Sequence, residues 1–171
     1  MDYKLIDNFL PKEEFKILQE AVVFNPFFEM YLHNEVARPT ENEVTNPENW
    51  YATHLFYIDD VPTTRYWDFF RENFLTKLKQ VLNTKSLIRG KVNFYPYTRT
   101  LVEHPLHSDC SYSNTAVLFC LNTCDGYTKF FDGDKVESIE NRLYFFDGSL
   151  KHCSTTTSNT SGRYNLSFNF L

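Results

Sequence analysis

The sequence predicts a mainly β (α+β) fold: a β-sandwich or barrel in residues 86–171, with helices from residues 1–85 laid against one sheet. Three observations carry this. Aromatic residues make up 18% of the chain, with 17 Phe and 11 Tyr, and flat rings pack well on a pleated surface. After Ser86 short aromatic and β-branched runs follow one another: Val92 to Tyr97, Thr115 to Leu121, Lys129 to Phe131, Arg142 to Phe146 and Tyr164 to Phe170. Turn chemistry separates them at Asp125-Gly126, Asp132-Gly133-Asp134 and Asp147-Gly148-Ser149.

The last run shows the pattern best. Tyr164, Leu166, Phe168 and Phe170 alternate with Asn165, Ser167 and Asn169, which is a strand with one apolar and one polar face. In the first half, Pro11 and the acidic Glu13 and Glu14 suit a helix start. Phe15, Leu18, Val22 and Val23 then recur at helical steps, so a helix is expected from about Pro11 to Phe24. Residues 33 to 50, with Pro39 and Pro47, read as a long polar loop, and Trp50 to Ile58 as a strand. A longer helix is expected over Thr63 to Leu82, where Trp67, Phe70, Phe74, Leu78 and Val81 trace one apolar stripe. At 171 residues, without repeats, low-complexity tracts or linker composition, the chain reads as a single domain over 1–171.

Charge and termini narrow the function. A net charge of -5 and a pI of about 5.5 make a nucleic-acid partner less expected than a peptide, protein or small metabolite. There is no apolar run long enough for a membrane span and no basic, apolar start of a signal peptide, so a cytoplasmic location is expected. Cys110, Cys120, Cys124 and Cys153 lack the spacing of a zinc site and read as ordinary thiols, Cys110 and Cys153 beside candidate ligands. Asp125, Asp132, Asp134 and Asp147 belong to turns and do not have the spacing of a calcium loop.

The chemistry is concentrated in His107-Ser108-Asp109. In an extended segment residues i and i+2 share a face, so this imidazole and carboxylate can meet one metal ion. Two imidazoles and one carboxylate leave coordination positions open, the arrangement of non-haem iron(II) oxygenases. Such a pair alone is weak, since about 0.6 are expected by chance at this composition. A decoy, His33-Asn34-Glu35, stands at a helix–loop junction with no strand near it, whereas the His107 pair stands in the β-rich half. His152 follows the Phe145-Phe146-Asp147-Gly148-Ser149 strand and turn, and completes the candidate triad. Arg163 opens the last strand and is the only Lys or Arg after Lys151. A guanidinium there could grip a carboxylate with two parallel charge-assisted bonds. His104 reads as structural or solvated, with the substrate mouth as the other option, and His54 as facing core or solvent.

Together, His107-x-Asp109, His152 and Arg163 eleven residues on resemble the signature of the 2-oxoglutarate/iron(II) oxygenase superfamily. From Lys91 to Leu171 the chain is similar to small prolyl-4-hydroxylase-like members of the phage and bacterial type. Gly126-Tyr127-Thr128-Lys129-Phe130 resembles their Gly-Gly-x-Thr-x-Phe stretch, with Tyr127 in place of the second glycine. Phe9-Leu10-Pro11 resembles their opening. The resemblance implies a double-stranded β-helix (jelly roll) with iron(II) held by His107, Asp109 and His152. It implies 2-oxoglutarate as co-substrate on Arg163, with O2 consumed and ascorbate as a further small reductant. Tyr95 and Asn93 are the further co-substrate contacts it suggests, Tyr97 or Arg99 taking that place in another register. The implied activity is hydroxylation, with a peptidyl proline or another amino-acid side chain as the implied substrate. Two other readings fit a metal-binding barrel: a cupin-type enzyme that does not use 2-oxoglutarate, and a barrel used only for binding.

Overall fold

The computed structural model describes residues 2–37, 46–82 and 86–171. Pro39, within the long loop expected from the sequence, lies outside the described residues, as do residues 83–85. A large antiparallel sheet carries the architecture. Its strands are β1 (Lys4–Ile6), β2 (Tyr31–His33), β3 (Tyr51–Ile58), β4 (Val61–Pro62), β5 (Leu87–Pro96), β6 (Thr115–Cys120), β9 (Leu143–Asp147) and β11 (Gly162–Phe170). They run in the order β1-β9-β6-β11-β5-β3-β2, with β4 on β3. A smaller sheet, β10-β7-β8, is made by β7 (Tyr127–Phe130), β8 (Lys135–Glu137) and β10 (His152–Ser154).

Alternation along the strands decides what each face does. On β11, Leu166, Phe168 and Phe170 are buried in a core under the helices. On β6, Val117 and Phe119 join that core, while Ala116, Leu118 and Cys120 face a second cluster with Tyr144 and Phe146 of the neighbouring β9 and with Phe130 and Val136 of the smaller sheet. A strand period of two thus sends one set of side chains to the helices and the other into the space between the sheets. The mainly β fold and the polar/apolar split of β11 match the sequence expectation.

The first half contributes more than helices. Helix α1 (Lys12–Val22) buries Phe15, Leu18 and Val22, close to the span expected for it. Its start is tied to the β8–β9 turn: Asn141 Oδ1 accepts from Leu10 N at 2.9 Å, and Asn141 Nδ2 donates to Leu10 O at 2.8 Å. Asn141 sits at φ 61°, a left-handed conformation that asparagine tolerates. Four strands, β1 to β4, also come from this half, and β3 is a full member of the main sheet next to β5. Phe56 is the extra residue of a bulge on β3 and lies over Gly90, where a Cβ would come within 2.4 Å of its ring.

The helix expected over Thr63 to Leu82 is a composite and starts later. It consists of α2 (Trp67–Phe70), a π-helical segment (Arg71–Leu75) and α3 (Thr76–Val81). Phe70, Phe74, Leu75 and Leu78 are buried along it, and Leu82, which follows α3 in extended backbone, is buried as well. Val81, expected in the stripe, is 47% exposed instead, and Trp67 is only partly buried, stacked on Tyr57. Strands β8 and β10 fall where the sequence showed no strand run. Among the described residues no helix is long and apolar enough to cross a membrane.

Candidate metal and co-substrate site

Between the sheets the lining turns polar. On β5 the inward residues are Arg89, Lys91, Asn93 and Tyr95; their partners on β11 are Asn169, Ser167, Asn165 and Arg163, in that order. This polar column leads to a narrow cavity lined at one end by His107, Asp109 and His152, and at the other by Tyr95 and Thr128. A wider depression on the β1–β9 side, around Tyr3 and Phe145, contains no histidine.

The two histidines are placed by backbone pairing. His107 and His152 form an antiparallel bridge in which each N–H donates to the other's carbonyl at 2.9 Å. Directly opposed residues carry neighbouring side chains, and the ring centroids are 4.8 Å apart. Asp109 follows two residues on, its N–H bound to Gly148 O at 2.9 Å. One ligand atom from each of His107, Asp109 and His152 lies within 4.8 Å of the others, and among the described residues this is the one such cluster. The decoy forms no such cluster among the described residues: His33, which lies at the end of β2 rather than away from any strand, has Nε2 engaged with Thr53 Oγ1 at 2.8 Å.

Contacts behind the three side chains orient them. His152 Nδ1 lies 2.9 Å from Leu150 O, and His107 Nδ1 lies 3.3 Å from Pro105 O. With Nδ1 donating to a carbonyl, each Nε2 keeps its lone pair for a metal. Asp109 accepts from Arg89 Nη2 at 3.0 Å on Oδ1 and from Asn169 Nδ2 at 3.1 Å on Oδ2. Burial would raise its pKa, but Arg89 and the other donors and positive groups outweigh burial and hold the carboxyl below the usual range. Burial, then proximity to His152, lowers the pKa of His107. Asp109 and His107 are thus set to offer lone pairs rather than protons at neutral pH.

Arg163 is fully buried, and the Gly126-Tyr127-Thr128 stretch cradles it. Nη1 donates to Tyr127 O at 2.8 Å and Nη2 to Thr128 Oγ1 at 3.0 Å. A Cβ on Gly126 would fall 2.8 Å from Arg163 Cδ, so glycine is needed for the arginine to pass. The guanidinium lies 5.4 Å from the centroid of the Tyr95 ring. Arg163 Nε has no hydrogen-bond partner, and neither do the buried Asn93 Oδ1 and His104 Nε2. Buried polar atoms without partners are costly, and here they mark a place shaped for a polar ligand.

Tyr95 and Asn93 line the cavity, whereas Tyr97 is 54% exposed and Arg99 is at the surface. His104 follows the structural reading rather than the solvated one: it is buried, with Nδ1 2.9 Å from Ser154 Oγ and its ring 5.5 Å from Tyr95. His54 is a core histidine held by Glu29 O and Thr64 Oγ1. The sequence reading missed Arg89, Lys91 and Asn169. Their signal was the polar alternation of β5 and β11, which points four side chains from each strand to the same interior.

Burial pushes the His104 pKa down to about 3, with Arg163 adding to the effect, and burial also lowers that of His54. An unfolded chain binds protons at these imidazoles below pH ~6.5 while the folded one does not, so acid favours unfolding. His104 alone should cost about 1.4 kcal/mol of stability per pH unit between pH ~6 and pH ~4. Denaturant unfolding across that window should show this slope, and His104→Gln should flatten it.

No family model matches the chain, and no curated protein does. Solved structures do share its fold. A prolyl hydroxylase from Trichoplax adhaerens, solved in complex with a hypoxia inducible factor oxygen degradation domain peptide fragment, aligns at a TM-score of 0.67 and 14% identity, covering 99% of this chain and 83% of that one. A Pseudomonas putida prolyl-4-hydroxylase aligns at 0.63 and 14% identity, covering 98% and 91%. HygX from Streptomyces hygroscopicus, solved with nickel and 2-oxoglutarate bound, aligns at 0.61 and 10% identity, covering 98% and 82%. At such identities the likeness concerns the backbone, and the chain has the double-stranded β-helix fold of the 2-oxoglutarate- and iron(II)-dependent oxygenases to which it is similar.

Proposed function

We propose that this chain is an iron(II)- and 2-oxoglutarate-dependent oxygenase. The observation that carries the reading is one cavity with two complementary ends: His107, Asp109 and His152 converge at the first, and buried Arg163, its Nε unpartnered, stands behind Tyr95 and Thr128 at the second. The donor set fits the metal, since two imidazoles and a carboxylate on one side leave positions for a chelating co-substrate and O2. The far end fits a carboxylate, which a guanidinium with a free N–H can bind.

His107, Asp109 and His152 would hold iron(II), and Arg163 the distal carboxylate of 2-oxoglutarate, with the Tyr95 hydroxyl and Asn93 beside it. Burial raises the Tyr95 pKa, so its phenol stays a neutral donor. When bound, the metal and co-substrate supply the oxidising chemistry that couples decarboxylation to succinate with hydroxylation of a carbon. The chain's own part is to orient and enclose. Arg89 and Asn169 fix the Asp109 carboxylate, Leu150 O and Pro105 O fix the imidazoles, and Phe146, packed against His152, keeps water from one side of the site.

The substrate we favour is a peptide or protein in which a proline or another side chain is hydroxylated. Supporting this are the implied prolyl-hydroxylase-like motifs and the Trichoplax adhaerens structure, which holds a peptide. The reading is tested by succinate formation from 2-oxoglutarate under iron(II) and oxygen. Purified protein should form succinate, slowly without substrate and faster with proline-containing peptides. Asp109→Ala should lower the rate at least ~100-fold, as loss of a metal ligand does. Equal rates in the two proteins would refute the proposal.

A further inference from the structure

Lys91 is a cation to which the site as described gives no task. It lies in the middle of β5 and lines the same cavity as His107, Asp109 and Tyr95. Among the described residues its ammonium makes no hydrogen bond or ion pair; the Tyr51 ring, 5.8 Å away, is the partner it has. The neighbouring cation is already engaged, since Arg89 is bound to Asp109 and Asn169. Lys91 is near enough to act electrostatically on both Asp109 and His107, which places its charge at the metal end. Burial, with Arg89, lowers its pKa to about 8, and it remains a cation at neutral pH.

The strand sets the distance to the second cation. Arg163 pairs with Tyr95, four residues along β5 from Lys91, which is about 13 Å of backbone at ~3.3 Å per residue. The wall between them is neutral: Asn93, Asn165 and Ser167. The Lys91 ammonium thus lines one end of the cavity, the Arg163 guanidinium stands behind Tyr95 and Thr128 at the other, and uncharged polar groups lie between. An unpaired, partly desolvated ammonium is unfavourable unless an anion meets it.

We propose that Lys91 is a second carboxylate anchor, binding the metal-end carboxylate of a short linear 2-oxo dicarboxylate whose far carboxylate is held by Arg163. This rests on the oxygenase reading and adds to it that the cavity selects a dianion by two fixed charges. The ammonium would meet that carboxylate beside the residues that would hold the metal, so Lys91 would contribute to co-substrate affinity independently of Arg163.

Calorimetric titration of the iron(II)-loaded protein under anaerobic conditions tests this, with 2-oxoglutarate and with 2-oxopentanoate, which lacks the distal carboxylate. Lys91→Met should weaken both ligands by the same factor, about 10- to 100-fold, the range for a lost charge-assisted hydrogen bond. Arg163→Met should weaken 2-oxoglutarate alone. Lys91→Arg, which keeps the charge, should recover most of the affinity, and iron affinity should not fall in any of these proteins. Unchanged binding in Lys91→Met overturns the proposal, as does a loss confined to 2-oxoglutarate or a failure of Lys91→Arg to recover. If the wild-type protein holds iron yet binds neither ligand, the oxygenase reading itself fails and takes this inference with it.

Discussion

Arg163→Met is expected to raise the dissociation constant for 2-oxoglutarate at least ~100-fold while leaving iron(II) affinity within about twofold, the cost of removing a buried, charge-assisted carboxylate contact. Two features make the effect large. The guanidinium is fully buried, so no water can replace its bond to the ligand. Its other N–H groups are pinned by Tyr127 O and Thr128 Oγ1, so it is already oriented before the ligand arrives. Methionine keeps the packing volume against Gly126 and Tyr95, which separates lost binding from a collapsed site. Calorimetry with iron first and 2-oxoglutarate second measures both constants. Unchanged 2-oxoglutarate affinity would assign Arg163 a structural role and favour a cupin-type enzyme.

Phe168→Ala is expected to be the most damaging of the core substitutions. Phe168 is fully buried on β11 and packs against Phe74 at 5.4 Å, Phe56 at 5.6 Å and Phe170 at 6.3 Å between centroids. It therefore joins the main sheet to the π-helical segment and to the bulge over Gly90. Truncating such a ring costs about 3–5 kcal/mol through lost burial and the cavity left behind. Urea unfolding should show a midpoint shift of that size with an unchanged slope. A loss under ~1 kcal/mol would mean that the neighbouring rings close the cavity.

The two predictions fall on opposite faces of one strand, and that strand shows what the sequence made readable. The β11 alternation separates Leu166, Phe168 and Phe170 from Asn165, Ser167 and Asn169 because strand periodicity is short and strict. The same rule put His107 and Asp109 on one side of an extended segment. Bringing His152 opposite His107 depends on a long-range bridge, which no local pattern encodes; the resemblance to a known family supplied it. The expected stripe fails at its end, where the backbone leaves the helix in extended conformation at Leu82, which is buried while Val81 is exposed. Strands β8 and β10 are three residues each, too short for alternation to register. Arg89 and Lys91 went unread because each, taken singly, resembles a surface cation; only the pairing of β5 with β11 turns that column inward.

The measurement that bears most directly on the central claim is an anaerobic titration of the purified protein with iron(II) and then 2-oxoglutarate, followed by visible absorption. A weak charge-transfer band that appears only after both additions, and is lost in His107→Ala, is the predicted result. Iron bound without the band would contradict the co-substrate assignment, and no iron bound would contradict the site itself.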